Sequence, residues 1–440
     1  LRPTESSTVF IQQLGRGLRR TADKDHVAVI DFIGNNYARS VQIAQALGSL
    51  SNNLVLEKNV LKKLVKDNFR SLALENYGVS ISIDEKSQEE ILNAIDSQNF
   101  DKLTYLKKDY ENFRKFIGSE SYPRHTDYLN SAAPDLLRLM FHSKKAANED
   151  TRFSYYNFLK LINEPDAPDF TKEEAIFISE ISRWLPLVRI YEYLFVSVLI
   201  ENDGRMAKDE LCKKVMDEIG DDFDQSSYDH AWKYFLSSLF NIDNFGNNII
   251  SFKFEIRDEF RKFVLDLIEY GIERFNLDFK NPDRGIFKLW SNYKKDQVMT
   301  LLKKDPRDKM KGTKYIEDVT YIFVTVIKGD KVQSSINYDD GYITEDTFQW
   351  ESENSLSRAD LNKLVNSSRA EVFVRKAKAE KGYTLPFTYV GFGKLNLIKD
   401  SLTDRGSYIF NISMHDKASQ EIFFDFRRQN NVNEGLGAQL

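Results

Sequence analysis

The chain has 440 residues, of which 41% are hydrophobic and 29% are charged, and its formal net charge is −5. This length predicts two to four domains, and the composition excludes a disordered protein. A single cysteine, Cys212, excludes an internal disulfide and a cysteine-based zinc site. The sequence shows neither a signal peptide nor a long apolar run, which predicts an intracellular protein without membrane spans.

The charge is unevenly distributed along the chain. Residues 1–48 carry 6 basic and 4 acidic groups, residues 49–275 carry 30 and 40, and residues 276–440 carry 26 and 23. Polyanions are therefore expected to favour the two ends, and the acidic middle is more typical of a coupling region. A solvated surface explains so small a basic excess almost as well.

Residues 1–48 show the pattern helix, strand, helix. The run His26 to Gly34 (HVAVIDFIG) is rich in valine and isoleucine and ends in glycine, which predicts a buried parallel strand. The preceding QQLGRGLR combines glycines, which allow close backbone approach, with arginines, which suit a phosphate. A segment this short cannot cover its own sheet, so it is interpreted as the end of a larger α/β domain.

Residues 49–275 are predicted to be mainly α-helical. Asp169 and Thr171 precede two glutamates and indicate a helix start, and Trp184 to Ile200 is expected to form a buried helix. Residues 194–254 have the element order of a winged helix, with a second helix at about Lys208 to Ile219 and a third, rich in aromatic residues, at about 227–240. Two interpretations remain open: DNA binding through the third helix, or, favoured by its few basic residues, a structural packing unit.

Residues 276–440 are predicted to form a β-rich domain after a helix near Asp296 to Lys304. Short alternating or apolar runs, separated by turn signals such as YDDG and DRGS, predict a curved mixed sheet or partial barrel, with an SRA-like fold as one option. The last predicted strand is EIFFDF, Glu421 to Phe426. The whole chain is thus a multidomain α+β protein.

The stretch QQLGRGLR resembles motif VI of superfamily 2 helicases, whose pattern is Q-x-x-G-R-x-x-R. That resemblance implies that residues 1–48 are the C-terminal end of the second RecA-like helicase domain. The resemblance implies that Arg16 and Arg19 act as arginine fingers on the γ-phosphate of ATP, and that Gln12 and Gly15 belong to the same phosphate site. It also implies that ATP and Mg²⁺ are bound mainly by an upstream domain, because no Walker A motif occurs in this chain.

The series KLWSNYKKDQVMTLL, YIFVTVIK, FQWESENS, EVFVRKA and PFTYVGFG resembles the uncharacterised domain that follows many bacterial superfamily 2 helicases. Some of these are single-chain, ATP-dependent type IV restriction enzymes of the SauUSI type. That resemblance implies a cytoplasmic bacterial protein of antiviral defence, whose C-terminal domain binds double-stranded DNA with modified cytosine, and it is compatible with a homodimer. The nuclease of such an enzyme lies upstream, and HSKKAANED does not match its motif.

A base reader needs aromatic rings for stacking and polar groups for the edge of the base. Residues 337–354 supply both densely. Because Phe348 and Trp350 alternate along one predicted strand, a purely structural role in the core is the alternative. The histidines are scattered, so no metal site is predicted. The candidate base-reading residues are Tyr338, Asp339, Asp340, Tyr342, Phe348, Trp350, Glu351 and Ser352.

Three functions follow from these patterns. The first is the C-terminal part of an ATP-dependent, modification-directed restriction endonuclease. The second is a DNA repair or remodelling helicase whose last domain binds DNA or a protein. The third is a binding module that retains only the end of a helicase domain.

Overall fold

The structure is a computed structural model of the 440-residue chain. It describes residues 62, 64–66, 68–69, 81–97, 102–130, 133–143, 153–243, 248–308, 312–327, 340–354, 356–380, 383–398, 403 and 406–428. The predicted helicase segment at residues 1–48 therefore lies outside the described residues.

The chain divides into two compact units. One, here called the helical unit, comprises Leu1–Phe223 and Leu236–Phe275. The other, the sheet unit, comprises Asp224–Phe235 and Asn276–Leu440.

The described part of the helical unit consists mainly of α-helices around an aromatic core. Within it, no helix is both long and apolar enough to cross a membrane. The helices are α1 (Glu85–Ser97), α2 (Leu103–Ile117), α3 (Leu136–Ser143), α4 (Tyr155–Leu161), α5 (Lys172–Ser182), α6 (Tyr191–Glu201), α7 (Lys208–Ile219) and α9 (Asp258–Asp278), which runs three residues into the sheet unit.

The predicted start of α5 is confirmed. The Thr171 side chain accepts a hydrogen bond from the backbone N–H of Glu174, and the Glu174 carboxylate accepts one from the backbone N–H of Thr171. This reciprocal pair satisfies two of the N–H groups that a helix start leaves unpaired.

The prediction of one buried helix from Trp184 to Ile200 is wrong for its first half. Helix α5 ends at Ser182, and α6 begins only at Tyr191. Pro186 lies between them, and proline cannot donate the backbone hydrogen bond that a continuous helix needs. The second half, as α6, is buried as expected.

The elements of residues 194–254 follow the predicted order. Helix α7 has the predicted bounds, whereas the predicted third helix is α8 (Gln225–Ala231), continued by a π-helical turn at Trp232–Leu236. An antiparallel sheet of order β1-β3-β2 accompanies them. Its strands are β1 (Arg205–Ala207), β2 (Asn241–Asp243) and β3 (Ile249–Ser251).

The sheet unit is built on one mixed, open sheet. The order is β5-β6-β9-β12-β13-β8-β7, with β4 beside β12, and β6 and β9 are parallel. The path does not close into a barrel, and an SRA-like fold stays a prediction. The strands are β4 (Asn292–Tyr293), β5 (Thr313–Ile316), β6 (Val319–Ile327), β7 (Gly341–Thr344), β8 (Thr347–Glu351), β9 (Arg369–Ala377), β12 (Phe387–Leu397) and β13 (Ile409–Met414), and a separate hairpin is formed by β10 (Ala379–Glu380) and β11 (Tyr383–Thr384).

Besides α8, three short helices belong to the described part of this unit: α10 (Lys295–Leu301), α11 (Arg358–Val365) and α12 (Gln420–Phe426). Helix α10 agrees with the predicted helix. The strand predicted at Glu421 to Phe426 is wrong, because this segment is α12. The Ser419 side chain accepts a hydrogen bond from the backbone N–H of Ile422 and so caps the helix, whose Phe426 joins the core.

The two faces of the large sheet bury different side chains. One, the helix-covered face, carries aliphatic residues such as Ile322, Val324 and Val372 beneath α11 and α12. The other, the aromatic face, carries mutually packed rings, among them those of Phe373 and Tyr389. Side chains from residues 287–293, including Phe287 and Tyr293, pack on this aromatic face.

Candidate nucleic-acid interface

The aromatic residues predicted to read a base lie mainly in the core. Tyr342, Phe348 and Trp350 are 0%, 0% and 5% exposed and belong to the helix-covered face. The Trp350 ring stacks on Phe410 of the neighbouring strand, with 5.5 Å between ring centroids. Their burial favours the structural alternative, since a stacking platform needs a ring with one open face.

The polar residues that were predicted to contact a base instead form hydrogen bonds with the backbone and side chains around β8. Asp340 accepts a hydrogen bond from the backbone N–H of Glu351 at 2.8 Å, and the Ser352 hydroxyl accepts one from the backbone N–H of Tyr408 at 2.8 Å. The Glu351 carboxylate accepts a hydrogen bond from Ser407. Tyr338 and Asp339 lie outside the described residues, as do Gln12, Gly15, Arg16 and Arg19.

A bulge in β12 places a further aromatic ring, that of Phe392, on the aromatic face. Tyr389 pairs with Phe373 and Phe392 pairs with Glu371, so the register shifts between these two pairs. Gly391, with φ of +100°, supplies the backbone conformation that the bulge requires. As a result, Tyr389 and Phe392, three residues apart, both lie on the aromatic face.

Phe392, which is half-buried, is the centre of a stack whose two other members are exposed. The His415 ring lies nearly parallel to the Phe392 ring, with 4.8 Å between centroids and an interplanar angle of 26°, and the Arg369 guanidinium lies 5.3 Å from the Phe392 centroid. The side chains of His415 and Arg369 are 60% and 46% exposed. We call Arg369, Phe392 and His415 the surface stack.

A buried carboxylate fixes the position of Arg369. Glu371 is 1% exposed, and it accepts hydrogen bonds from Arg369 Nε at 2.7 Å and from the Tyr389 hydroxyl. Burial raises the pKa of Glu371 although both hydrogen bonds favour its charged form. The arginine is therefore held in place by groups below the surface.

His415 is fixed from two sides. Its backbone N–H donates to the carbonyl of Phe392 at 2.8 Å. The next residue, Asp416, accepts a bidentate ion pair from Arg284, and this hydrogen bonding lowers the pKa of Asp416. The loop that carries the exposed ring is thus anchored to the sheet.

Sequence patterns did not single out these three residues. Arg369 begins β9, Phe392 follows a bulge and His415 follows β13, so only the order of the strands brings them together. One signal was present: glycine inside a strand pattern, as in VGFG, often marks a bulge.

The third helix of the predicted winged helix makes contacts inside the sheet unit. Asp224, which caps α8, forms an ion pair with Lys303 at 2.5 Å, and Nε2 of the buried His230 donates to the carbonyl of Lys304 at 2.7 Å. Burial opposes ionisation of Asp224, but its hydrogen bonds, first from Lys303, lower its pKa. These contacts favour a packing role over entry of this helix into a DNA groove.

Residues 287–426 match the family model described as "Domain of unknown function (DUF3427)". The match lies within the sheet unit and includes every member of the surface stack. The candidate interface is therefore part of the DUF3427 region.

The chain is also similar to a protein of Saccharomyces cerevisiae, "Putative ATP-dependent helicase IRC3". The identity is 29% over 155 residues, which is 32% of this chain and 22% of the yeast protein. The chain thus corresponds to about a fifth of the length of that relative. The similarity is thus to one part of a protein whose name describes a putative ATP-dependent helicase.

Among the described residues, no group of three or more histidine, cysteine or acidic side chains is placed to hold a metal ion. The groups of the surface stack are of the kind that bind a nucleic acid. A flat, exposed ring and an oriented guanidinium can stack on a nucleobase and contact a phosphate.

Proposed function

We propose that this chain is part of an ATP-dependent helicase-type protein whose sheet unit binds nucleic acid through the surface stack. The similarity to the yeast helicase carries the first part, and QQLGRGLR supports it. The surface stack carries the second part, because a solvent-exposed imidazole and a guanidinium that share one aromatic ring can stack on a base and contact a phosphate.

In this function, Arg16 and Arg19 stabilise the charge that develops on the γ-phosphate during ATP hydrolysis. We expect Arg16→Ala or Arg19→Ala to lower kcat at least a thousandfold in a protein that joins this chain to an ATP-binding motor domain. Steady-state ATP hydrolysis measures the effect. Arg20→Ala is the matched control, since it removes a neighbouring arginine outside the motif, and equal losses in all three variants would contradict the assignment.

The surface stack suits an unpaired base more than a base inside a duplex. Stacking of one base on a protein ring is worth about 1–3 kcal/mol and tolerates any sequence. His415 presents its ring to solvent, Glu371 holds Arg369 in place, and the ion pair between Asp416 and Arg284 anchors the loop of His415. Little conformational entropy is then lost when a base binds.

A preference for modified cytosine is a finer hypothesis about the same unit. Since Tyr342, Phe348 and Trp350 are buried, a base pocket has to use other groups, and the surface stack is a candidate. Fluorescence anisotropy at fixed salt, with one DNA carrying cytosine, 5-methylcytosine or 5-hydroxymethylcytosine, tests it. A preference of tenfold or more for a modified cytosine supports the hypothesis. Equal affinities for the three DNAs would contradict it and leave binding of nucleic acid without regard to modification.

An endonuclease activity has no support among the similarities found.

A further inference from the structure

The aromatic face of the large sheet changes from buried to solvent-exposed at Phe392. Before this residue on β12, Tyr389 is fully buried among other rings. After it, Lys394 and Asn396 are exposed. They lie on the same face as Phe392, because the intervening Leu395 belongs to the core of the helix-covered face. The second half of β12 therefore presents polar side chains to solvent on the face that carries the surface stack.

Strand β13 carries the cross-strand partners of these polar residues. Lys394 pairs with Ser413 and Asn396 pairs with Asn411. Between the two β13 residues lies Ile412, which belongs to the helix-covered core, so Ser413 and Asn411 lie on the aromatic face. We call these two pairs the polar ladder. It continues the surface stack along β12 and β13, with about 7 Å between successive rows.

The first row of the polar ladder offers donors to an anion. Lys394 and Ser413 are both exposed, and within the described part of the chain Lys394 forms no ion pair. A carboxylate beside the surface stack, that of Asp416, is already paired with Arg284. An ammonium and a hydroxyl are groups that commonly contact the phosphates of a nucleic acid.

The second row offers amides. Nδ2 of Asn396 donates to the Ser413 hydroxyl at 3.0 Å, which holds this amide on the open face. Oδ1 of Asn411 is buried and has no hydrogen-bond donor among the described residues. A buried acceptor without a donor costs free energy, and the torsion that orients an asparagine amide is soft, so this amide can turn its oxygen toward a ligand. Adenine presents the complementary donor and acceptor on one edge.

From this ladder we propose that a single strand of nucleic acid runs along β12 and β13 beyond the surface stack. One base stacks on the surface stack, and the phosphate that follows contacts Lys394 and Ser413. The next base is bound at its edge by Asn396 and Asn411. The inference rests on the proposed function, because the surface stack holds the first base. Since stacking tolerates any sequence, the amides are the source of a base preference, with adenine as the preferred base.

Salt dependence tests the first row. Lys394→Gln removes one phosphate contact, so the slope of log affinity against log salt for a short single-stranded DNA is expected to become shallower by about 0.7. Lys363→Gln is the matched control: Lys363 is also exposed, but it lies on α11, which covers the opposite face. Its slope is expected to equal that of the wild type. An unchanged slope in Lys394→Gln, or equal changes in the two variants, would overturn the ladder.

Base preference tests the second row, with a thymine strand that contains or lacks interspersed adenines. We expect the wild type to bind the adenine-containing strand about fivefold or more tightly, and Asn411→Ala to bind both strands nearly equally. The melting temperature of Asn411→Ala is expected to stay near that of the wild type, because Oδ1 of Asn411 has no donor to lose. His415→Ala is expected to weaken binding of both strands by the same factor and to retain the preference.

The outcomes separate the polar ladder from the surface stack. If His415→Ala weakens binding while Lys394→Gln and Asn411→Ala behave like the wild type, the surface stack stands and the ladder is overturned. If the wild type binds no single strand, or if none of the three variants changes binding, both proposals are overturned, and a protein becomes the partner to test for this face.

Discussion

At the scale of single residues, Trp350 distinguishes a core role from a base-reading role. Its indole is 5% exposed and stacks on Phe410 in the middle of the sheet unit. Since replacing a buried aromatic residue with alanine leaves a cavity, we expect Trp350→Ala to lower the free energy of unfolding by about 3–5 kcal/mol. Chemical denaturation followed by circular dichroism measures the change.

Trp350→Phe, which keeps a ring in the cavity, is the control and is expected to lose less stability. A Trp350→Ala protein with wild-type stability and weakened DNA binding would contradict the core role.

The residues of the surface stack illustrate a limit of sequence patterns. Alternation along β8 predicted that Phe348 and Trp350 share a face, and they do. No local pattern relates Arg369 to His415, because their proximity depends on the order in which β9, β12 and β13 pair. Long-range pairing of this kind is set by the packing of the whole sheet.

At the scale of elements, the bulge in β12 positions the interface. An added Cβ at Gly391 would lie 3.3 Å from both Asp416 Oδ2 and Leu289 Cδ1, and its φ of +100° is one that other residues rarely adopt. We expect Gly391→Ala to lower the free energy of unfolding by about 1–3 kcal/mol and to weaken DNA binding by displacing Phe392.

Both effects can be measured on one preparation, by denaturation and by anisotropy. Gly285→Ala is the matched control for conformation: its φ is also positive, but an added Cβ meets nothing within 4 Å. We therefore expect Gly285→Ala to lose stability without losing DNA affinity. Unchanged affinity in Gly391→Ala would show that the bulge does not position the interface.

Elements with strong local signals were predicted well. Helix α7 ends at Ile219 and is followed by Gly220, which adopts a positive φ. The helix start at Thr171 carries a complete capping box. The segment Glu421 to Phe426 was predicted as a strand because short apolar runs are compatible with either structure. Its helical state depends on the Ser419 cap and on burial of one face against the sheet.

At the scale of the whole molecule, the acidic and the basic parts of the sequence fall mainly in different units. The acidic middle of the chain falls mainly in the helical unit, and α8 contributes its contacts to the basic segment at Lys303 and Lys304. The mildly basic end of the chain forms most of the sheet unit, with the surface stack near the start of β9.

The binding of nucleic acid through the surface stack is tested most directly by His415→Ala. The ring is 60% exposed and stacks on Phe392, so its loss should leave the fold intact. Fluorescence anisotropy with a labelled single-stranded oligonucleotide, at constant salt, gives the affinity. We expect the affinity to fall about tenfold or more, equivalent to ~1.4 kcal/mol.

Lys417→Ala, which removes an exposed positive charge from the same loop, is the control, and its affinity is expected to stay within about threefold of the wild type. Equal affinities of wild type, His415→Ala and Lys417→Ala, or equal losses in the two variants, would contradict the account.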